Sequence, residues 1–236
     1  MSRLIALILA LALVPGALVT AGTAGATAVP APAASPPPGD QYFTAAQLAG
    51  GLLTEAELPA GYAVAGGSAG SVTDFDIYGS NLCTGGLPDR LWGPVTSASR
   101  TFRRAAGGTV SVVVTATGAD RARDIVAYAA AAPAKCPAVT RDGLRTTYTR
   151  LPLPDLGAPS AGLVATTRFS KHEMLPVVRR TVAVAHGDVS AVFQQSGDGA
   201  DVRASFLEIV RASAAKLEKI DEPPAVAQLR RALIDV

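Results

Sequence analysis

Between Thr109 and Thr117 apolar and polar side chains alternate: Val110, Val112, Val114 and Ala116 share one face, while Thr109, Ser111, Thr115 and Thr117 lie on the other. A period of two predicts a half-buried strand. From Asp120 the period becomes helical, with Ala122, Ile125, Val126 and Ala129 at i, i+3, i+4 and i+7, and the pattern stops near Pro133, just before Cys136-Pro137. Strands are predicted again at 144–150, 162–169, 178–186 and 189–195, the last two forming a hairpin because Gly187-Asp188 is a suitable two-residue turn. A second amphipathic helix follows, with Val202, Phe206, Ile209, Val210 and Leu217 on one stripe, Ser196 to Asp201 supplying its turn and cap, and Pro223-Pro224 ending it. Ahead of all these, Leu48, Leu52, Leu53 and Leu58 predict a helix with Thr44 as N-cap, split by Gly50-Gly51 and stopped by Pro59-Ala60-Gly61. Tyr62 to Val64 opens an extended stretch that dissolves into the glycine-rich run Gly66 to Gly70. Helix, strand, helix, a run of antiparallel strands, then helix: the order predicts an α+β fold.

The N-terminus sets the expected compartment. Met1-Ser2-Arg3 is a short basic lead, Leu4 to Val14 is an unbroken apolar run, and A-x-A sites end at Ala26 and Ala28. These are the three parts of an export signal over residues 1–28. The apolar run is too short to cross about 30 Å of hydrocarbon, and no cysteine follows it to carry a lipid, so stable membrane insertion after cleavage is not expected. Residues 29–42 form a Pro/Ala-rich linker with too few large apolar groups to fold. A single domain is expected at 43–220, with a C-terminal tail and short helix at 221–236.

Lys and Arg number 21 and Asp and Glu 19, and Arg3 leaves with the signal, so the mature chain is close to neutral. That argues against a nucleic-acid partner. Two arginine clusters, Arg100/Arg103/Arg104 and Arg179-Arg180, are small candidate anion patches, though solvated strand faces are the simpler expectation.

The only two cysteines are Cys83 and Cys136. In an exported chain they are expected to form one disulfide, worth about 4 kcal/mol on chain entropy. Their spacing is not C-x-x-C, and only His172 and His186 are available as imidazoles, so neither a metal site nor a cofactor is expected.

Three motif matches fail on context. Gly66-Gly67-Ser68-Ala69-Gly70 satisfies G-x-S-x-G, the signature of a hydrolase built on Ser68, but no helical pattern follows it as the nucleophile turn requires. Asp74 to Gly79 imitates the start of a calcium loop, yet Tyr78 replaces an oxygen ligand and Gly85 stands where the bidentate glutamate belongs. His172 and Glu173 are adjacent in a polar stretch on which nothing converges. Trp92, the lone tryptophan, with Arg90 beside it and Tyr78, are the candidate ligand-binding residues; Trp92 packing under a loop is the competing structural role.

The stretch Leu52-Leu53-Thr54-Glu55-Ala56-Glu57-Leu58-Pro59-Ala60-Gly61-Tyr62 resembles the opening of the PknH-like extracellular sensor domains, found on actinobacterial receptor serine/threonine kinases and on secreted or lipid-anchored relatives. The resemblance continues through Cys136-Pro137, Leu151 to Gly157, the hairpin Val182 to Val189 and the final helix, and spans roughly 44–220. It implies a twisted antiparallel sheet with packed helices and a cleft for an extracellular ligand. The family's kinase-linked member has a second disulfide, for which this sequence has no cysteines.

Two functions follow as expectations. The favoured one is a secreted, non-catalytic ligand-binding or sensor-like domain in the cell envelope, its partner a small molecule, glycan or protein. The alternative is a secreted hydrolase using Ser68 or scattered Asp, Glu and His side chains. They differ in whether a histidine stands beside Ser68.

Overall fold

A computed structural model of the chain describes residues 43–72, 95–169, 175–197 and 199–220. The described elements run α1 (Ala45–Gly50), a 3-10 turn (Glu55–Glu57), β1 (Tyr62–Val72), β2 (Val95–Arg104), β3 (Thr109–Ala116), α2 (Ala119–Lys135), β4 (Ala138–Arg141), β5 (Leu144–Arg150), β6 (Ser160–Phe169), β7 (Val177–His186), β8 (Val189–Ser196) and α3 (Ala200–Leu217). All eight strands form one antiparallel sheet in the order β1-β2-β3-β8-β7-β6-β5-β4.

That order is two meanders sewn together at the centre. β1 to β3 run from one edge inward. The chain then crosses by α2 over β8, β7, β6 and β5 to the far edge, and β4 to β8 return to seat β8 beside β3. The β3–β8 seam is a join between strands far apart in sequence, and a buried hydroxyl pair, Thr115 Oγ1 and Ser190 Oγ at 2.8 Å, sits in it.

Alternation gives the sheet two apolar faces, and helices cover both. On one, Phe102, Val110, Val112, Val114, Val182 and Phe193 pack against Leu48 and the Leu52-Leu53 pair and against Phe206, Ile209, Val210 and Leu217 of α3. On the other, Ala122, Ile125, Val126, Ala129 and Ala132 of α2 meet Leu163, Ala183, Ala185 and Val192. The two stripes predicted for the helices are therefore the buried ones.

Local chemistry sets the ends. Thr44 caps α1 through a box with Gln47, its Oγ1 accepting from the Gln47 amide at 3.2 Å. Gly118, at the start of α2, offers no side chain, and Asp188 Oδ1 at the tip of the β7–β8 hairpin accepts from Ala119 N at 2.9 Å instead. The last turn of α2 continues past Pro133 to Lys135, where the expectation stopped it.

Three strands were not expected in this form. β1 runs through the whole glycine-rich stretch rather than ending at Val64, β2 occupies Val95–Arg104, and β4 is a four-residue edge. At Gly67 a Cβ would lie 2.5 Å from the Ser99 carbonyl oxygen, so the glycine here serves close strand approach rather than a loose loop.

One part of the expected fold class, the disulfide, is not met among the described residues. The α+β sheet with packed helices stands, but the disulfide is not seen among the described residues, which contain one cysteine. Cys136 is buried at the end of α2, 8% exposed, with Sγ 3.3 Å from the Ala132 carbonyl oxygen. What visibly joins the layers is the apolar packing on both sheet faces. The expected signal (1–28), linker (29–42) and tail (221–236), together with Tyr78, Cys83, Arg90, Trp92, His172 and Glu173, lie outside the described residues.

Candidate functional site

Adjacent residues on a strand point to opposite faces, and this separates Arg179 from Arg180. Arg179 is exposed; Arg180, on the α3 side of β7, is buried to 8% exposure. Its Nη1 donates to Gln195 Oε1 at 2.8 Å and to the Gly197 carbonyl oxygen at 2.9 Å, and Gln195 Nε2 donates to that same carbonyl at 2.9 Å. Gln195 is the cross-strand neighbour of Arg180 on β8. Gly197 and Gly199 hold φ of +110° and +121°, a region in which a side chain would be strained, so the turn from β8 into α3 depends on glycine.

Above this triangle an open pocket of about 550 Å³ is lined by Arg180, Gly199, Ala200, Arg203, Ala204 and Leu207. The four α3 residues fall at i, i+3, i+4 and i+7, so one flank of the helix forms the wall, next to the stripe that it buries. Arg203 is exposed at the rim. The lining thus combines two guanidinium groups with small and aliphatic side chains, chemistry that suits an anionic group carried on a compact apolar body.

The neighbouring arginines are occupied elsewhere. Arg104 pairs with Asp201 at 2.7 Å and ties the end of β2 to the first turn of α3. That bond, and the amide of Val202, hold the Asp201 carboxyl below its ordinary range. Arg100 donates to the Leu53 carbonyl oxygen at 2.6 Å. The expectation of solvated strand faces therefore fails for Arg180, Arg104 and Arg100, which reach backbone or side-chain partners, and holds for the exposed Arg103 and Arg179.

Among the described residues the hydrolase geometry does not form. Ser68 sits within β1, paired with Ser99, the two hydroxyls 2.9 Å apart. His186 lies on β7 beyond β2, β3 and β8, four strand spacings or about 19 Å across the sheet, and with its partner Val189 it is on the face opposite Ser68. No strand-to-helix turn surrounds Ser68. Among the described residues no group of three His, Cys, Asp or Glu side chains is placed to hold a metal ion, and no helix is long and apolar enough to cross a membrane.

No protein-family model matches the chain, and no curated protein matches it. Among solved structures, it is similar to the extracellular domain of PknH from Mycobacterium tuberculosis, with 14% identity and a TM-score of 0.44, over 74% of this chain and 98% of that one. This is a distant structural relationship, which meets the expected family resemblance at that level and no further.

Sequence reasoning missed the pocket. Gln195 and Gly197 carry no motif, and Leu207 and Ala204 look like the polar-side remainder of an amphipathic helix. The one available signal was Arg180 itself, a charge at an inward position of a strand whose neighbours on that face are apolar.

Proposed function

We propose that the chain works as an exported, non-catalytic binding or sensor-like domain of the cell envelope, and that it seats its ligand in the pocket beside the first turns of α3. The observation that carries this reading is the Arg180–Gln195–Gly197 triangle. It fixes one guanidinium in a pocket otherwise lined by Arg203 and by small and aliphatic residues, so a charged contact is pre-positioned before any ligand arrives. The export signal read at residues 1–28 supports the compartment. A pocket of this volume fits a small molecule or a sugar unit.

A thermal-shift screen of the chain lacking residues 1–28 tests the proposal. Carboxylated and phosphorylated glycans and metabolites are compared with their neutral counterparts. We expect an anionic class to raise Tm with increasing concentration, and Arg203→Ala, which alters only an exposed rim group, to abolish that rise. Uniformly absent shifts, or a shift indifferent to Arg203→Ala, would overturn the assignment.

A further inference from the structure

The sheet has two edges among the described residues, and they are built differently. β4, on one side, has four residues, Ala138–Arg141, and ends in an arginine. β1, on the other, has eleven, Tyr62–Val72, with no charged residue and no proline. Short length, charge and proline are among the devices that keep a sheet edge from pairing with another chain. β4 carries two of them. Within its own sequence β1 carries a register shift between Val64 and Gly66, and from Gly66 onward its register against β2 is unbroken.

The geometry points to β1 as a self-association edge: two copies of this chain pair their β1 strands antiparallel, making one continuous sheet across a two-fold axis. A second copy fits this edge better than an unrelated extended peptide. Peptide addition takes its specificity from pockets for alternate side chains, and from Ala65 to Ser71 the β1 sequence is glycine, alanine and serine alone. Gly66 and Gly70 face open space, with no atom within 4 Å of a Cβ built at either. Self-pairing sets the same segment against itself, so a charged strand would face its own charge. A strand with none incurs no such repulsion, and its small side chains let the backbones meet.

Sedimentation of the chain lacking residues 1–28 over a wide concentration range tests this. A reversible monomer–dimer equilibrium is expected, with amide exchange in 66–72 slowing as concentration rises. Gly66→Lys/Gly70→Lys places like charges across the paired strands and should weaken the dimer by about tenfold or more. Both sites have room for the side chain, so circular dichroism and Tm should remain those of the parent. Thr140→Lys, on the β4 edge, should leave the equilibrium unchanged. A monomer at all concentrations would sink the proposal, as would a dimer that ignores the β1 lysines or one that is lost on Thr140→Lys.

Discussion

Asp188 Oδ1 accepts a hydrogen bond from Ala119 N at 2.9 Å, so the tip of the β7–β8 hairpin caps a helix that begins 69 residues earlier in the chain. The Asp188 carbonyl also accepts from the amides of Thr117 and Gly118, at 3.0 and 2.9 Å. One residue thereby satisfies three donors where β3 turns into α2. Asp188→Ala is expected to lower stability by about 0.5–2 kcal/mol, the range for loss of an N-cap. Asp188→Asn, which keeps the acceptor, should recover most of it; denaturant unfolding of the two variants reads the difference.

The Arg180–Gln195 contact predicts strong non-additivity. Removing Gln195 alone leaves a buried guanidinium short of an acceptor, and Gln195→Leu should cost about 1.5–3 kcal/mol. Arg180→Leu/Gln195→Leu removes both polar groups from the same patch and should cost less than the two single changes summed. A double-mutant cycle by chemical unfolding measures the coupling, and a sum that simply adds would show that the pair is not a unit.

Acid should loosen the junction between α3 and the segment after α1. Glu57 Oε2 accepts from Lys216 Nζ at 2.7 Å and from the amide and hydroxyl of Thr54 at 2.6 and 2.8 Å. The Lys216 bond first, then the two Thr54 bonds, pull the Glu57 carboxyl from its ordinary 4.5 down to about 2. A depressed folded-state value means that the stabilisation is fully present above about pH 4.5 and is lost as pH falls toward 2. Glu57→Gln should therefore have a lower Tm than the parent at pH 7, and the gap should close on acidification across that window.

Two glycines should respond oppositely to the same change. A Cβ at Gly162 would lie 2.5 Å from the Leu151 carbonyl oxygen and 2.9 Å from Leu151 Cβ, where the chain after β5 folds back over β6. Gly162→Ala is expected to destabilise by about 1–3 kcal/mol through overpacking. At Gly66 nothing stands within 4 Å, so Gly66→Ala should be neutral or stabilising by a few tenths of a kcal/mol through reduced freedom of the unfolded chain. Parallel thermal melts of the two variants check the pair.

Strongly periodic elements were legible because their side chains declare one face. β3, β5 to β8, α2 and α3 appear where alternation or a helical stripe predicted them, and the Gly187-Asp188 turn joins β7 and β8 as expected. β1 was not legible beyond Val64, because glycine, alanine and serine have little strand preference of their own. Its extension comes from pairing along β2. β4 is too short for any period to show.

By itself, the sequence determined the α+β class, most elements and the two core stripes, since these follow from local propensity and from the period with which apolar residues recur. Only the tertiary structure decided that β8 inserts beside β3, that Asp188 caps α2, and that Arg180 is buried against Gln195 while Arg179 stays outside. Each of these depends on which distant residues meet, and a pattern of hydrophobic and polar positions records which face a residue takes but not who its partner is.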